Sequence, residues 1–364
     1  MRRNTQLALG LLAIGVGAAA AAVAFTRLGN RRVDEWETLT PADAGEGDFV
    51  ELSDGTRMHY IARRPAPGRS AQAGSATLSH PCPSERNERG SGRLAVSVGL
   101  PSVQVRNPGS VQDVVLIHGV MDSAFHWHKN IDALADHHRV WAIDLVGFGF
   151  SSRPTEPNYS LKRYARHVRE FMDAQGIARA SIVGHSLGGA VALEFAHDAP
   201  ERVDKLILIA PATFLLQFRP QVKLAARLPA VSRAIVGYAV TSGRAHMAAW
   251  RGAVGDPSRV DLEESEMRLR PRRVKGSAAA LIAMLGSPHL SDLPAGLDRI
   301  QAPALILWGE NDRAVPLRHG GYHARDLPNG ELVVLEGAGH IPQNESPQVV
   351  NRLMVDFLAR GEPR

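Results

Sequence analysis

With a single cysteine, Cys82, in 364 residues, the chain cannot form an intramolecular disulfide or a four-cysteine zinc site. The redox compartment is therefore not encoded in its thiols. Aromatic residues make up only 5%, too few for extended base-stacking surfaces. The excess of positive charge is small, formally +5. The arginines are spread along the chain and no nucleic-acid motif accompanies them, so no nucleic-acid partner is expected. Apolar residues are plentiful at 44%. That supports a sizeable core, and the length suits one large α/β domain with an inserted segment or two small domains.

Long apolar runs are absent except at the start. Leu7 to Phe25 carries no charge, with Arg2 and Arg3 before it and Arg27, Arg31 and Arg32 after it. As a helix it would span roughly 28 Å, close to a hydrocarbon core. Residues 1–32 are read as a membrane anchor or signal segment. A single-pass N-terminal anchor is expected, with membrane contact through this segment. The alternative is a secreted or periplasmic protein after cleavage near Ala22-Val23-Ala24. Arginines on both flanks leave the orientation open. Residues 33–46 read as a polar linker.

Phe49–Leu52 and Arg57–Ala62 read as strands around the turn Ser53-Asp54-Gly55. From about 65 to 112 the sequence is rich in Pro, Gly, Ser and Arg and loses periodicity. It reads as a disordered insertion without assigned function. Short apolar runs then follow at Val114–Ile117, Val140–Ile143, Ser181–Val183, Lys205–Ile209, Ala304–Trp308 and Glu331–Leu335. None alternates with polar residues, as expected of strands covered on both faces. Helical patterns lie between them: from a Ser160 cap to about Ala174, Leu187–His197, and Gln348–Ala359. Alternating elements imply a parallel sheet with sites at the carboxyl ends of its strands. Residues 212–297 favour helix without clear strands and read as an inserted cap. The cap separates a first core part, 47–211, from a second, 298–364.

Gly184-His185-Ser186-Leu187-Gly188 matches G-x-S-x-G between a strand and a helix, where a sharp turn exposes a nucleophilic serine. Val114 to Ile117 ends in His118-Gly119-Val120. There the backbone N–H of Val120 can join that of Leu187 in an oxyanion hole. His118 reads as structural. Leu305-Ile306-Leu307-Trp308-Gly309-Glu310-Asn311-Asp312 is a strand followed by an acid. Asp312 is the expected orienting carboxylate and Glu310 the alternative. Glu336-Gly337-Ala338-Gly339-His340 places a histidine on a Gly-rich loop after the last strand. His126, His128, His137 and His138 read as solvated, with no metal site among them. A serine at its free pKa is a weak nucleophile and needs such a base, held in one tautomer.

The order Ser186, Asp312, His340, with these motifs over about residues 47–361, resembles the α/β-hydrolase superfamily. Asp144-Leu145-Val146-Gly147-Phe148-Gly149-Phe150-Ser151 is similar to that family's D-x-x-G-x-G-x-S turn. The resemblance implies an α/β-hydrolase fold: a mostly parallel eight-stranded sheet flanked by helices, with a helical cap. It also implies catalysis without cofactor or metal. It extends to esterases, monoacylglycerol-type lipases and carbon–carbon bond hydrolases. Haloalkane dehalogenases and epoxide hydrolases carry Asp where this chain has Ser186, which argues against both. The expected substrate is a small-molecule ester or lipid, with Met121, Phe148, Phe214 and Ile341 as candidate contacts. The rival readings are hydrolysis of a carbon–carbon bond in a diketone, and a non-catalytic binding protein on the same fold. The cap's basic run, Arg268, Arg270, Arg272, Arg273 and Lys275, reads mostly as a solvated face, with docking to anionic lipid as a lesser alternative.

Overall fold

Successive residues of a strand face opposite sides of its sheet, and in the central strands of this chain both sides are apolar. The computed structural model describes residue 27 and residues 31–65, 111–154, 159–213, 236–237, 241–287 and 296–361. The strands are β1 (Asp48–Glu51), β2 (Arg57–Arg63), β3 (Asp113–Ile117), β4 (Arg139–Ile143), β5 (Ala180–His185), β6 (Val203–Ile209), β7 (Ala304–Gly309) and β8 (Gly330–Leu335). They form one eight-stranded sheet in the order β1-β2-β4-β3-β5-β6-β7-β8. The pairs β1–β2 and β2–β4 are antiparallel and the rest parallel. All eight strand expectations stand, each within two residues of its ends.

The helices are α1 (Ile131–Ala135), α2 (Leu161–Ala174), α3 (Leu187–Asp198), α4 (Gly243–Ala253), α5 (Leu262–Leu269), α6 (Ser277–Gly286), α7 (Arg318–Asp326), α8 (Pro342–Glu345) and α9 (Pro347–Ala359). Val115, Ile117, Leu206, Leu208, Ile306 and Trp308 point to one face, under α2, α3 and α7. Val114, Leu116, Ile207, Ile209, Leu305 and Leu307 point to the other, under α1 and α9. In α2 the buried positions Leu161, Tyr164, Ala165, Val168, Phe171 and Met172 recur at helical spacing. Its start is fixed by the Ser160 hydroxyl, which accepts the Arg163 N–H at 3.2 Å, a cap worth about 1 kcal/mol.

The interval expected to form the cap contains α4, α5 and α6, with a 3₁₀ turn at Arg270–Arg273 between the last two. Ala278, Leu281 and Met284 of α6 join the main core, so the cap is seated on the sheet domain.

Residues 33–46 are not a free linker. Residues 31–36 are helical, and Val33 is buried. Leu39 pairs in parallel with Val274 of the cap. The Glu37 carboxylate accepts the N–H groups of Gly276 at 2.7 Å and Ala278 at 2.8 Å. It thus neutralises the amino end of α6, where backbone donors lack partners. The polar composition that suggested a linker is spent on these long-range contacts. The apolar run Leu7–Phe25 and nearly all of the 65–112 interval lie outside the described residues. Among the described residues no helix is long and apolar enough to cross a membrane.

Two of the histidines expected at the surface are inside: His126 is 1% exposed and His138 6%. Burial pushes both down to about 4, and does the same to His246 and His323. In the unfolded chain a histidine titrates near 6.5. Above that value these rings are neutral in both states and give no pH dependence. Below it the unfolded chain takes up protons that the folded one refuses, so stability falls as pH drops from about 6.5 toward 4. The melting temperature should decline steadily across that window; a flat profile between pH 7 and 4.5 would refute the assignment.

Candidate active site

The carboxyl ends of β3, β5 and β7, with the loop after β8, meet beneath the cap. After β5 the chain turns sharply into α3 at Ser186, whose φ is 52° and ψ −114°. A non-glycine residue held there stores about 1–3 kcal/mol of strain. The turn is tied down on both sides: Ser186 N–H donates to Ile209 O at 2.9 Å, and its carbonyl accepts the Ala212 N–H at 3.0 Å. The flanking glycines are required by space. A Cβ on Gly184 would lie 2.3 Å from the Gly188 carbonyl oxygen, and one on Gly188 2.2 Å from that of Ile117. Gly188→Ala should therefore cost about 3 kcal/mol or more, measurable by urea unfolding. A change under about 0.5 kcal/mol would contradict this packing, since that is the ordinary scatter of surface substitutions.

His118 is structural, as expected. Its Nε2 accepts the Leu145 N–H at 3.0 Å, so Nδ1 carries the proton and donates to Gly119 O at 2.6 Å. A Cβ on Gly119 would come within 3.3 Å of the Ser186 Cβ. This close approach sets Val120 beside the serine. Leu187 opens α3, in the first turn where backbone N–H groups have no partner within the helix. Of the positions expected to supply the oxyanion hole, Val120 lines the same cavity as Ser186 and Leu187 follows Ser186 directly in the chain.

Asp312 lies on the loop after β7. Its Oδ1 accepts the N–H groups of Ala314 and Val315, each at 2.8 Å. The other oxygen lies 2.8 Å from His340 Nδ1. Glu310 instead accepts the Gly337 N–H at 3.3 Å at the surface, which leaves Asp312 as the partner of His340. The His340 loop is held by its backbone. Its N–H donates to Ala253 O at 2.6 Å, and its carbonyl accepts from His185 Nε2 at 2.9 Å. Glu345 accepts the N–H groups of Gly339 at 3.0 Å and Gly255 at 2.7 Å. Sequence reasoning missed Glu345 and His185. Glu345 carries no motif, while His185 sits next to the serine and is legible only as spacing.

Ser186 and His340 line one cavity of about 320 Å³, together with Val120, Met121 and Ile341. Its cap side is formed by Ala245, Ala249, Trp250 and Ala253 of α4, with Arg268 and Arg272. Of the expected substrate contacts, Met121 and Ile341 are there. Phe148 is not: it is buried, its ring edge-to-face with that of His118 at 6.2 Å between centres, and it lines a smaller adjoining cavity. Left-handed Gly147 and Gly149 fold that turn beneath the site. There a Cβ on Gly149 would strike the Asp144 carboxylate at 2.0 Å. Phe214 lies outside the described residues.

The cap's basic run is largely not a solvated face. Arg268 is 2% exposed, donates to Asp122 at 2.6 Å and to Glu264 at 3.1 Å, and lies 4.0 Å from the centre of the Trp250 ring. Burial alone would raise the Asp122 carboxyl, but the Arg268 charge and the neighbouring His126 together outweigh it and hold the group well below the usual carboxylate range. Burial pushes the Arg272 guanidinium down to about 10. Among the described residues, no group of three or more His, Cys, Asp or Glu side chains is arranged to hold a metal ion.

A sequence pattern described as the alpha/beta hydrolase fold matches residues 114–347, well over half of the chain. The chain belongs to the α/β-hydrolase family. It is a hydrolase. It is 30% identical to YugF, an uncharacterized hydrolase of Bacillus subtilis, over 70% of this chain and 92% of that one. It is 29% identical to a 2-hydroxy-6-oxo-6-phenylhexa-2,4-dienoate hydrolase of Burkholderia cepacia, over 71% of this chain and 92% of that one. A meta-cleavage product hydrolase from Pseudomonas fluorescens shares the fold at a TM-score of 0.63 and 24% identity, over 86% of this chain and 97% of its own. A bacterial membrane phospholipase A does so at 0.62 and 22%, over 98% of each chain.

Proposed function

We propose that this α/β hydrolase is a serine hydrolase that cleaves a carboxylic ester with an apolar acyl group through an acyl-enzyme. The observation that carries the reading is the shared cavity. Ser186 is held on a strained turn, and His340, paired with Asp312 at 2.8 Å, opens into the same space. Ser186 Oγ attacks the ester carbonyl while His340 takes its proton. The Val120 and Leu187 N–H groups receive the developing oxyanion. His340 then returns the proton to the departing alcohol oxygen. Water repeats the cycle on the acyl-enzyme and frees the acid. The alanine, tryptophan and isoleucine walls of the cavity favour an apolar acyl chain, and a volume of about 320 Å³ favours a short or medium one.

A second reading, hydrolysis of a carbon–carbon bond next to a ketone, is favoured by one observation: the 29% identity to dienoate hydrolases over most of the chain. It would use the same three side chains. Nitrophenyl esters of two to twelve acyl carbons, assayed beside a 2-hydroxy-6-oxo-dienoate, separate the two. The ester reading expects kcat/KM for a short or medium ester of about 10⁴ M⁻¹s⁻¹ or more, with the dienoate left intact. Turnover of the dienoate alone transfers the assignment to the second reading.

The stretch Leu7–Phe25 fits an N-terminal anchor that would hold the enzyme at a membrane holding lipid esters. Retention of the full-length protein in the membrane after alkaline carbonate washing supports this reading; release into the supernatant removes it. The shared fold with a membrane phospholipase A carries the fold alone, so the ester reading rests on the site.

A further inference from the structure

The turn that presents Val120 protrudes from the sheet domain, with Val120 itself 42% exposed. The residue after it, Met121, is held at φ 60°, a conformation that a side chain disfavours and that relaxes unless its surroundings fix it. On its upstream side the turn is fixed by the core, because Gly119 packs against Ser186 and His185. On its downstream side the fixing group comes from the cap. Arg272 Nε donates to the Met121 carbonyl at 3.0 Å. One residue further on, Arg268 Nη1 donates to the Asp122 carboxylate at 2.6 Å, whose other oxygen accepts the Ser123 N–H at 2.9 Å.

The arginines are themselves held from the opposite side. The Arg273 carbonyl accepts the Leu39 N–H at 2.9 Å, and Lys275 N–H donates to Leu39 O at 3.0 Å. The Arg273 guanidinium lies 5.5 Å from the Trp36 ring centre. The segment at 36–39 thus straps the 3₁₀ turn, and the 3₁₀ turn grips the Val120 turn.

We propose that Arg272 is a positioning residue: through its hydrogen bond to the Met121 carbonyl, the cap holds the Val120 N–H where the oxyanion forms. The proposal rests on the serine-hydrolase reading above. The Met121 peptide plane is the lever. With the Met121 carbonyl held by Arg272 and the Gly119 carbonyl held by His118 Nδ1 at 2.6 Å, Val120 and Met121 lie between two anchored peptide planes. Without the Arg272 anchor, φ of Met121 relaxes toward negative values, and the change passes through Val120 to tilt the Gly119–Val120 peptide, which His118 alone then holds at its carbonyl. Ground-state binding in the cavity does not depend on that N–H, so the loss falls on kcat.

The test compares Arg272→Gln with Arg272→Met in the full-length protein. Glutamine places an amide N–H at the position of the Arg Nε and removes the charge, while methionine keeps the bulk and removes the donor. On a neutral short-chain nitrophenyl ester, R272M should lose about 10- to 100-fold in kcat with KM within about two-fold. Its labelling by a fluorophosphonate should slow in parallel. R272Q should recover most of both.

A folded R272Q as impaired as R272M overturns the proposal, and so does an R272M with wild-type kcat. If both variants instead keep kcat and raise KM only for an ester bearing a carboxylate, Arg272 is a substrate-anion contact and the proposal also fails. If R272M does not fold, Arg272→Leu, which also lacks the donor, takes its place: loss of kcat in it with recovery in R272Q is still required, and wild-type kcat in it overturns the proposal. The underlying reading is checked separately. Wild type that resists fluorophosphonate, or Ser186→Ala that is still labelled, defeats the serine-hydrolase assignment itself. Labelled wild type, unlabelled S186A and unimpaired R272M defeat only the role of Arg272.

Discussion

Ser186→Ala is expected to lower kcat on the preferred ester by about 10⁶-fold, while the protein folds and melts as before. The size of the effect follows from the reaction's division of labour. His340 and the two backbone donors act on the proton and charge of a bond that Ser186 Oγ alone forms. Without that oxygen they retain only a weak ability to activate water. Stability should be unaffected, because the strain at φ 52° belongs to the backbone and to a Cβ that alanine keeps. The hydrogen bonds that fix the turn, Ser186 N–H to Ile209 O and Ala212 N–H to Ser186 O, also involve only main-chain atoms. Steady-state kinetics with urea unfolding tests both halves. A variant retaining more than about a hundredth of wild-type kcat would point to another nucleophile.

Asp312→Asn should cost about 10⁴-fold in kcat, and Glu310→Gln almost nothing. The asparagine carbonyl can still accept the N–H groups of Ala314 and Val315, which Asp312 Oδ1 accepts at 2.8 Å, so the loop keeps its shape. Its amide group, however, would face His340 Nδ1 with hydrogens of its own. The imidazole would then carry its proton on Nε2, toward the serine, where a base is needed. Glu310 is spent on Gly337 and does not touch the imidazole. The pair of variants resolves the choice between two acids two positions apart on the same loop. Equal losses in both would mean that the loop, rather than one carboxylate, is what the histidine needs.

The three side chains were legible in the sequence because each sits at the end of a strand within a short local pattern. The Gly184–Gly188 turn, the Asp312 loop and the Gly-rich segment before His340 each encode their own geometry. The strands were legible for a related reason, since runs such as Val114–Ile117 are apolar on both faces. What holds the site from outside was not. Arg272 reaches Met121 across 151 positions of sequence and Arg268 reaches Asp122 across 146, and no periodicity records such a pairing.

The basic run misled for a geometric reason. In a 3₁₀ turn successive side chains point in directions about 120° apart, so neighbours in sequence meet different partners. Within the turn, Arg272 reaches the Met121 carbonyl while Arg270 and Arg273, three positions apart, reach the backbone of Ala44 and the hydroxyl of Thr38; Arg268, at the end of α5, turns to Asp122. A charge cluster that resembles a solvated face is a set of clasps between cap, core and the segment ahead of β1. His126 was misread similarly: its ring is buried between Asp122 and His185, and nothing adjacent in sequence signals that burial.

The central claim is that Ser186 carries the acyl group. Rapid mixing of the enzyme with excess nitrophenyl ester, quenched in acid and analysed by mass spectrometry, tests it directly. The expected result is a burst of nitrophenol approaching one equivalent per chain, with an acyl-mass adduct on the peptide containing Ser186 and none in S186A. Turnover with no adduct under conditions where the burst is seen, or an adduct confined to another residue, would contradict it.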